Sequence, residues 1–166
     1  MNKIKELIPY LIIIIVVVLI RTFVVTPVRV DGSSMYPTLK NGEILILKKF
    51  DKTYDRFDVV VVKYNGERLV KRIIGLPGEH IVYKDSKLYV NDELIDEKFL
   101  PSDLTFDDFD NILLGKNFIP EDYYFVVGDN RNNSTDSRII GFIPKNDILG
   151  VTNFRLFPFN KIGTFN

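Results

Sequence analysis

A mostly β, antiparallel domain tethered by one N-terminal apolar helix is the fold that this 166-residue sequence predicts. Three observations lead there. The N-terminus carries an unbroken run of Leu, Ile and Val from Leu11 to Ile20. Beyond it, short Val-, Ile- and Tyr-rich segments alternate with turn residues at close spacing, as strands of an antiparallel sheet do. No long amphipathic helix pattern appears anywhere in the remainder.

The N-terminal run reads as a membrane anchor. Fourteen helical residues from Leu7 to Ile20 rise only about 21 Å, but continuing to Val25 gives about 28 Å, near the roughly 30 Å of a bilayer core. Arg21 then sits near an interface, where its long stem lets the guanidinium reach the headgroups. A cleavable secretory signal also begins with basic residues such as Lys3 and Lys5, yet no Ala-x-Ala-like pair follows, because the chain has no alanine. A buried strand pair is the other alternative, and ten such residues without a turn signal exceed an ordinary strand. Charge does not fix the orientation, since Lys3 and Lys5 are opposed by Arg21, Arg29 and Lys40. The expected division is residues 1–26 as tail and transmembrane anchor and 27–166 as a β-rich domain.

Eight strands are predicted: Val28–Val30, Glu43–Leu47, Val59–Lys63, Leu69–Ile74, Ile81–Tyr83, Lys87–Val90, Tyr123–Val127 and Ile148–Phe154. Asn41-Gly42, Asn65-Gly66, Pro77-Gly78, Asp85-Ser86 and Asn91-Asp92 separate them with residues that tolerate tight turns. The acidic segment from Pro101 to Asp110 lacks alternation and reads as a loop or a short helical insertion.

Composition excludes whole classes of function. With no cysteine there is no disulfide framework, zinc ribbon or thiol nucleophile, and a single histidine, His80, cannot build a histidine cluster. No metal and no cofactor is expected. Twenty-two basic residues balance twenty-two acidic ones, which argues against a nucleic-acid partner. The segment Asp129–Asp136 fails as a calcium loop because Arg131 stands where an oxygen ligand is required.

Three islands carry the chemistry: Asp31–Leu39 after the first strand, Val70–Gly78, and Gly128–Arg138. Taken singly, each reads equally well as a turn, a solvated strand lysine and a polar loop. Lys71, however, lies inside an apolar strand, where burial lowers an ammonium pKa from about 10.4 to as little as about 5–6. A neutral amine accepts a proton, and a serine within hydrogen-bond reach then becomes an activated nucleophile. Ser–Lys is therefore the favoured hydrolytic pair, and His80, after a Pro-Gly turn, reads as a surface residue.

In conjunction and in order, the islands resemble those of bacterial type I signal peptidases of the short, Gram-positive-like form, membrane-anchored serine proteases that remove signal peptides from exported preproteins. Ser34-Met35-Tyr36-Pro37-Thr38-Leu39 is similar to the family's nucleophile box, Lys71-Arg72 with Gly75-Leu76-Pro77-Gly78 to its general-base box, and Gly128-Asp129-Asn130-Arg131 with Ser134, Asp136, Ser137 and Arg138 to its third box. The resemblance implies a signal-peptidase type of β-sheet or barrel-like catalytic domain. It implies Ser34 as nucleophile, Lys71 as general base and Ser134 as the serine that orients the lysine amine. It further implies that Asp136 pairs with Arg72 and Arg138, and that Asp129 supports the same loop. Where some members carry an oxyanion-binding serine two residues before the nucleophile, this chain has Gly32, which leaves the Ser34 N–H as the named donor.

The same resemblance implies an extracytoplasmic catalytic domain on a single-pass anchor in the cytoplasmic membrane, with signal peptides, membrane lipid and the nearby secretion translocon as partners. Selection for small side chains calls for shallow apolar pockets, for which Val28, Val30, Met35, Leu39, Leu69 and Val70 are the candidates. Two rival functions are weighed. Autocleaving Ser/Lys repressors carry a DNA-binding domain where this chain has an apolar run, and a catalytically inactive membrane-tethered binding module would not need both Ser34 and Lys71.

Overall fold

The computed structural model describes residues 3–23, 25–50 and 52–165, with side chains described for 7–18, 25–50 and 52–165. Helix α1 (Lys3–Phe23) is followed by strands β1 (Val25–Arg29), β2 (Ile44–Lys48), β3 (Val59–Tyr64), β4 (Glu67–Gly75), β5 (Ile81–Lys84), β6 (Lys87–Val90), β7 (Glu93–Ile95), β8 (Phe109–Asp110) and β9 (Tyr123–Val127). Helix α2 (Ser137–Ile140), β10 (Ile143–Pro144), β11 (Ile148–Phe157) and β12 (Gly163–Thr164) complete the chain, with short 3-10 turns at Asn111–Leu114, Lys145–Asp147 and Phe159–Lys161. All eight predicted strands form. The two-residue strands β8, β10 and β12 and the three-residue β7 are too short for a periodic signal.

The large sheet runs β1-β2-β11-β3-β4-β9-β10, with β12 added beside β11, and the small sheet runs β7-β6-β5-β8. Every pairing is antiparallel. Three connections are two-residue hairpins with positive φ at both central positions: Asn65 and Gly66, Asp85 and Ser86, Asn91 and Asp92. That backbone matches the right-handed twist of the strands it joins.

β3 is the centre. Val59, Val60, Val61 and Val62 are all buried, as a strand covered on both faces must be. Val59 and Val61 pack with Val28, Val30, Met35, Leu39, Leu45, Leu47 and Val70. Val60 and Val62 face the opposite way, with Ile73, Val126, Tyr124 and Ile148. A third cluster, including Ile74, Ile81, Tyr83, Phe109 and Phe125, joins the small sheet to the large one. The Pro101–Asp110 segment has no helix; it ends in β8, which pairs with β5.

Residues 7–18 of α1 are exposed apolar side chains with Pro9 among them. Twelve such residues rise about 18 Å, and among the described residues no helix is long and apolar enough to cross a membrane. Lys3, Lys5 and Arg21, on which the orientation argument turns, lie outside the described side chains.

Candidate active site

Ser34 stands in the turn that follows β1, and its position is set from three sides. Leu39 N–H donates to Met35 O at 2.8 Å and Tyr36 N–H to Ser33 O at 3.0 Å, closing the turn on itself. The Met35 and Leu39 side chains sink into the core beneath it. From β11, Arg155 donates to Thr38 O at 2.8 Å while its guanidinium pairs with the buried Glu43 at 2.8 Å. From the loop after β9, Asn130 donates its N–H to Ser34 O at 3.0 Å and its side-chain amide to Ser33 O at 3.1 Å.

Lys71 lies on β4, opposite Val60 of β3, and is 2% exposed. Its Nζ donates to Ser34 Oγ at 2.7 Å. Two residues that stand 37 positions apart in the sequence therefore meet in one short hydrogen bond. Burial is the largest influence on the amine and lowers its pKa to about 8, against the opposing pull of the Asp136 and Asp129 charges. An amine near pH 8 exists substantially as free base and can then accept the hydroxyl proton through the same contact.

Gly128 makes the approach possible. A Cβ there would lie 2.4 Å from Ser34 O and 2.2 Å from Ser134 Oγ, so only glycine lets β9 end this close to the turn. Gly128 N–H donates to Asp136 Oδ2 at 3.0 Å.

The ion pairs of the third island differ from expectation. Asp136 does pair with Arg138, through Nε and Nη2 at 2.9 Å each. Arg72 instead forms a two-pronged pair with Asp129 at 2.9 and 2.7 Å. Register explains the exchange. Arg72 sits opposite Val127 of β9, and Asp129, two residues on, stays on that same face. Burial works to raise the Asp136 pKa, but its bonds to Arg138, the Arg138 charge and the Gly128 N–H outweigh it and hold the carboxyl below its usual range.

Ser134 also departs from expectation. Its buried hydroxyl makes no hydrogen bond to Lys71, and its interaction with Asp136 is among those that hold that carboxyl down. The side chain instead fills the notch left by Gly128 and lies beside Asp136. The six pocket candidates divide as well. Val28, Val30, Met35, Leu39 and Val70 belong to one cluster, whereas Leu69 packs with the cluster on the other face of the sheet, because neighbours on a strand point oppositely. Gly32, at φ 86°, gives its N–H to Asn41 Oδ1 at 3.0 Å. His80 pairs with Asp110 at 3.0 Å.

Sequence reasoning missed Arg155, Glu43, Glu97 and the anchoring role of Asn130. The polar type of Asn130 within the third island was visible, but its partners are backbone carbonyls that no residue pattern reveals.

A β domain with a buried amine on a turn serine has the makings of a serine hydrolase of the Ser–Lys kind. The family profile for signal peptidases, peptidase S26, matches residues 4–157. Signal peptidase I S of Bacillus subtilis (strain 168) is 40% identical over 162 residues, covering 92% of this chain and 88% of that protein. Signal peptidase I of Streptococcus pneumoniae serotype 4 is 36% identical over 200 residues, covering 99% and 98%. A crystal structure of a signal peptidase I from Enterococcus faecalis V583 superposes with a TM-score of 0.57 at 37% identity, covering 60% of this chain and 96% of that one. The chain belongs to the signal peptidase family, peptidase S26. It is a type I enzyme of that family, a serine endopeptidase that cleaves signal peptides from exported proteins.

Proposed function

We propose that Ser34 is the nucleophile and Lys71 its general base. The single observation that carries this is the 2.7 Å contact between Lys71 Nζ and Ser34 Oγ, made by an amine whose pKa burial has brought down to about 8. Neutral Lys71 takes the hydroxyl proton as Ser34 Oγ attacks the scissile carbonyl carbon. It returns that proton to the leaving amine as the peptide C–N bond breaks and an acyl-enzyme remains. A water, deprotonated by Lys71 in turn, then releases the new carboxylate and regenerates the serine. The Ser34 N–H, which no described backbone acceptor takes, is the donor available to the oxyanion.

Arg72 with Asp129 holds the loop after β9 against β4, on which Lys71 lies, while Arg138 with Asp136 braces that loop internally. Ser134 acts by filling the Gly128 notch rather than by bonding the lysine. The pocket for small side chains is built on Val28, Val30, Met35, Leu39 and Val70, which share one cluster with the apolar residues of the nucleophile turn.

The chain before β1 serves as tail and anchor and the remainder as the catalytic domain outside the cytoplasmic membrane; Val25 and Thr26, expected in the anchor, instead pair with Lys48 and Leu47 in the large sheet. The exposed apolar side chains from Leu7 to Val18 support that reading, because a solvated surface of this kind needs a covering. Membrane lipid and the neighbourhood of the secretion translocon are then its surroundings.

The test is a preprotein bearing an Ala-x-Ala site, incubated with the detergent-solubilised enzyme and analysed by mass. Ser34→Ala and Lys71→Ala are expected to remain folded and to release no mature protein. Turnover retained by either variant refutes the assignment.

A further inference from the structure

The loop after β9 reaches in two directions, residues 130 and 133 one way and the two between them the other. Asn130 and Asn133 point to the nucleophile turn: Asn130 holds the Ser34 and Ser33 carbonyls, and Asn133 donates to Ser33 Oγ at 3.3 Å. Arg131 and Asn132 point the other way. Arg131 donates to Glu97 through both terminal nitrogens, at 3.0 and 2.5 Å, and Asn132 donates to Thr105 O at 2.9 Å. The segment that receives them runs from the end of β7 to β8 and includes the acidic stretch that begins at Pro101.

The receiving site encloses the Arg131 side chain. The Arg131 side chain is 0% exposed and that of Glu97 is 7% exposed. The guanidinium lies between two rings, 5.0 Å from the centre of Tyr83 and 5.2 Å from that of Phe106. Tyr83 donates its hydroxyl to Glu97 at 3.2 Å. Phe106 is itself fixed to the β5–β6 hairpin, donating its N–H to Ser86 Oγ at 2.9 Å and accepting from that hydroxyl at 3.2 Å. Arg131 Nε is buried with no partner, so the arrangement satisfies the plane and direction of the guanidinium rather than all of its donors.

We propose that Glu97 and Arg131 are positioning residues for Ser34, and that the small sheet with the segment after β7 forms a clasp fixing the nucleophile turn through residues 130–133. This rests on the reading of Ser34 as nucleophile. The route is short: one peptide unit separates the Arg131 side chain from the Asn130 N–H that holds Ser34 O. A nucleophile tolerates little displacement, and about 1 Å of misplacement can lower a rate about 100-fold. The ion pair of Asp129 with Arg72 holds the loop to β4, the strand that carries Lys71; the clasp fixes the other partner of the same contact.

The experiment compares full-length wild type with Glu97→Gln and Asn132→Ala. For Glu97→Gln the expected result is a fall in kcat of about 10-fold or more with KM within about twofold, because no substrate-facing group is altered. Amide exchange at Asn130 should accelerate while the amides of β3 keep their protection. Asn132→Ala, at an exposed position, should lower kcat about threefold in the same manner without moving the unfolding midpoint. An unchanged kcat in folded Glu97→Gln overturns the proposal, as does a loss matched by loss of protection throughout β3. If Glu97→Gln does not fold, Asn132→Ala decides, and an unchanged kcat there is fatal. Failure of the nucleophile reading is seen separately, as absence of a covalent label on wild-type Ser34 with an acylating inhibitor.

Discussion

The acidity of Lys71 makes the pH profile the sharpest test of the site. With the amine at a pKa of about 8, the free base is about 1% of molecules at pH 6, about 10% at pH 7 and about 90% at pH 9. If free Lys71 is the base, kcat/KM for a preprotein peptide should rise close to tenfold per pH unit up to about 7.5. It should bend near 8 and reach a plateau by 9, a total gain of about 90-fold from pH 6. An ordinary lysine, at about 10.5, behaves differently: it is under about 1% free base at pH 8, and the rate would climb without a bend through pH 10. The measurement is initial rate at low substrate and constant ionic strength, with acylation of Ser34 followed in parallel. A profile flat from pH 6 to 9 would refute lysine as the base. An unbroken climb to pH 10 would refute the claim that burial activates it.

Three further outcomes follow from the same geometry. Lys71 is charged in the unfolded chain up to about 10.5 but in the folded one only up to about 8; between those values the unfolded state holds more protons and stability rises with pH. Below pH 8 the buried ammonium therefore costs about 3 kcal/mol, so Lys71→Met should abolish turnover yet raise the urea midpoint at pH 7, an advantage that should fade above pH 10. Gly128→Ala should lower kcat by at least about 100-fold, since its Cβ would stand 2.4 Å from Ser34 O and force β9 away from the turn; near-wild-type turnover would contradict the close approach. Arg138→Met should shift the acid limb to higher pH, because the Arg138 charge lowers the Lys71 pKa and its removal also uncovers Asp136; a shift to lower pH would count against this electrostatic account.

Much of the fold was legible because the strands advertise themselves. The run Val59–Val62 and the Asn65-Gly66 turn fix a central hairpin with little ambiguity. β8, β10 and β12 were not legible, since two residues carry no period and they exist only because a longer strand offers an edge. For the site, residue types and their order were sufficient to bring Ser34 and Lys71 together as an expectation, but the partners of the carboxylates were not. Whether Arg72 meets Asp129 or Asp136 depends on which face of β4 it leaves from and on the register with β9, and neither is written in the spacing of the islands. Ser134 was misread for a related reason: its neighbour is the missing Cβ of Gly128, an absence that no motif displays.

The two carboxylates pose a problem that the ion pairs answer. Asp129 and Asp136 both act to keep Lys71 charged, and left bare within a buried site they would oppose the desolvation that frees its amine. Each, however, is engaged by both prongs of a guanidinium, Asp129 by Arg72 and Asp136 by Arg138. A carboxylate so paired presents a dipole rather than a full charge to its neighbours, and its influence falls off more steeply with distance. Burial then prevails at Lys71. The Arg72 pair thus ties the loop after β9 to the strand of Lys71, and both pairs mute the field that would keep its amine charged. Both effects require arginine, since a lysine would supply the charge without the two-pronged geometry that holds the carboxylate in place.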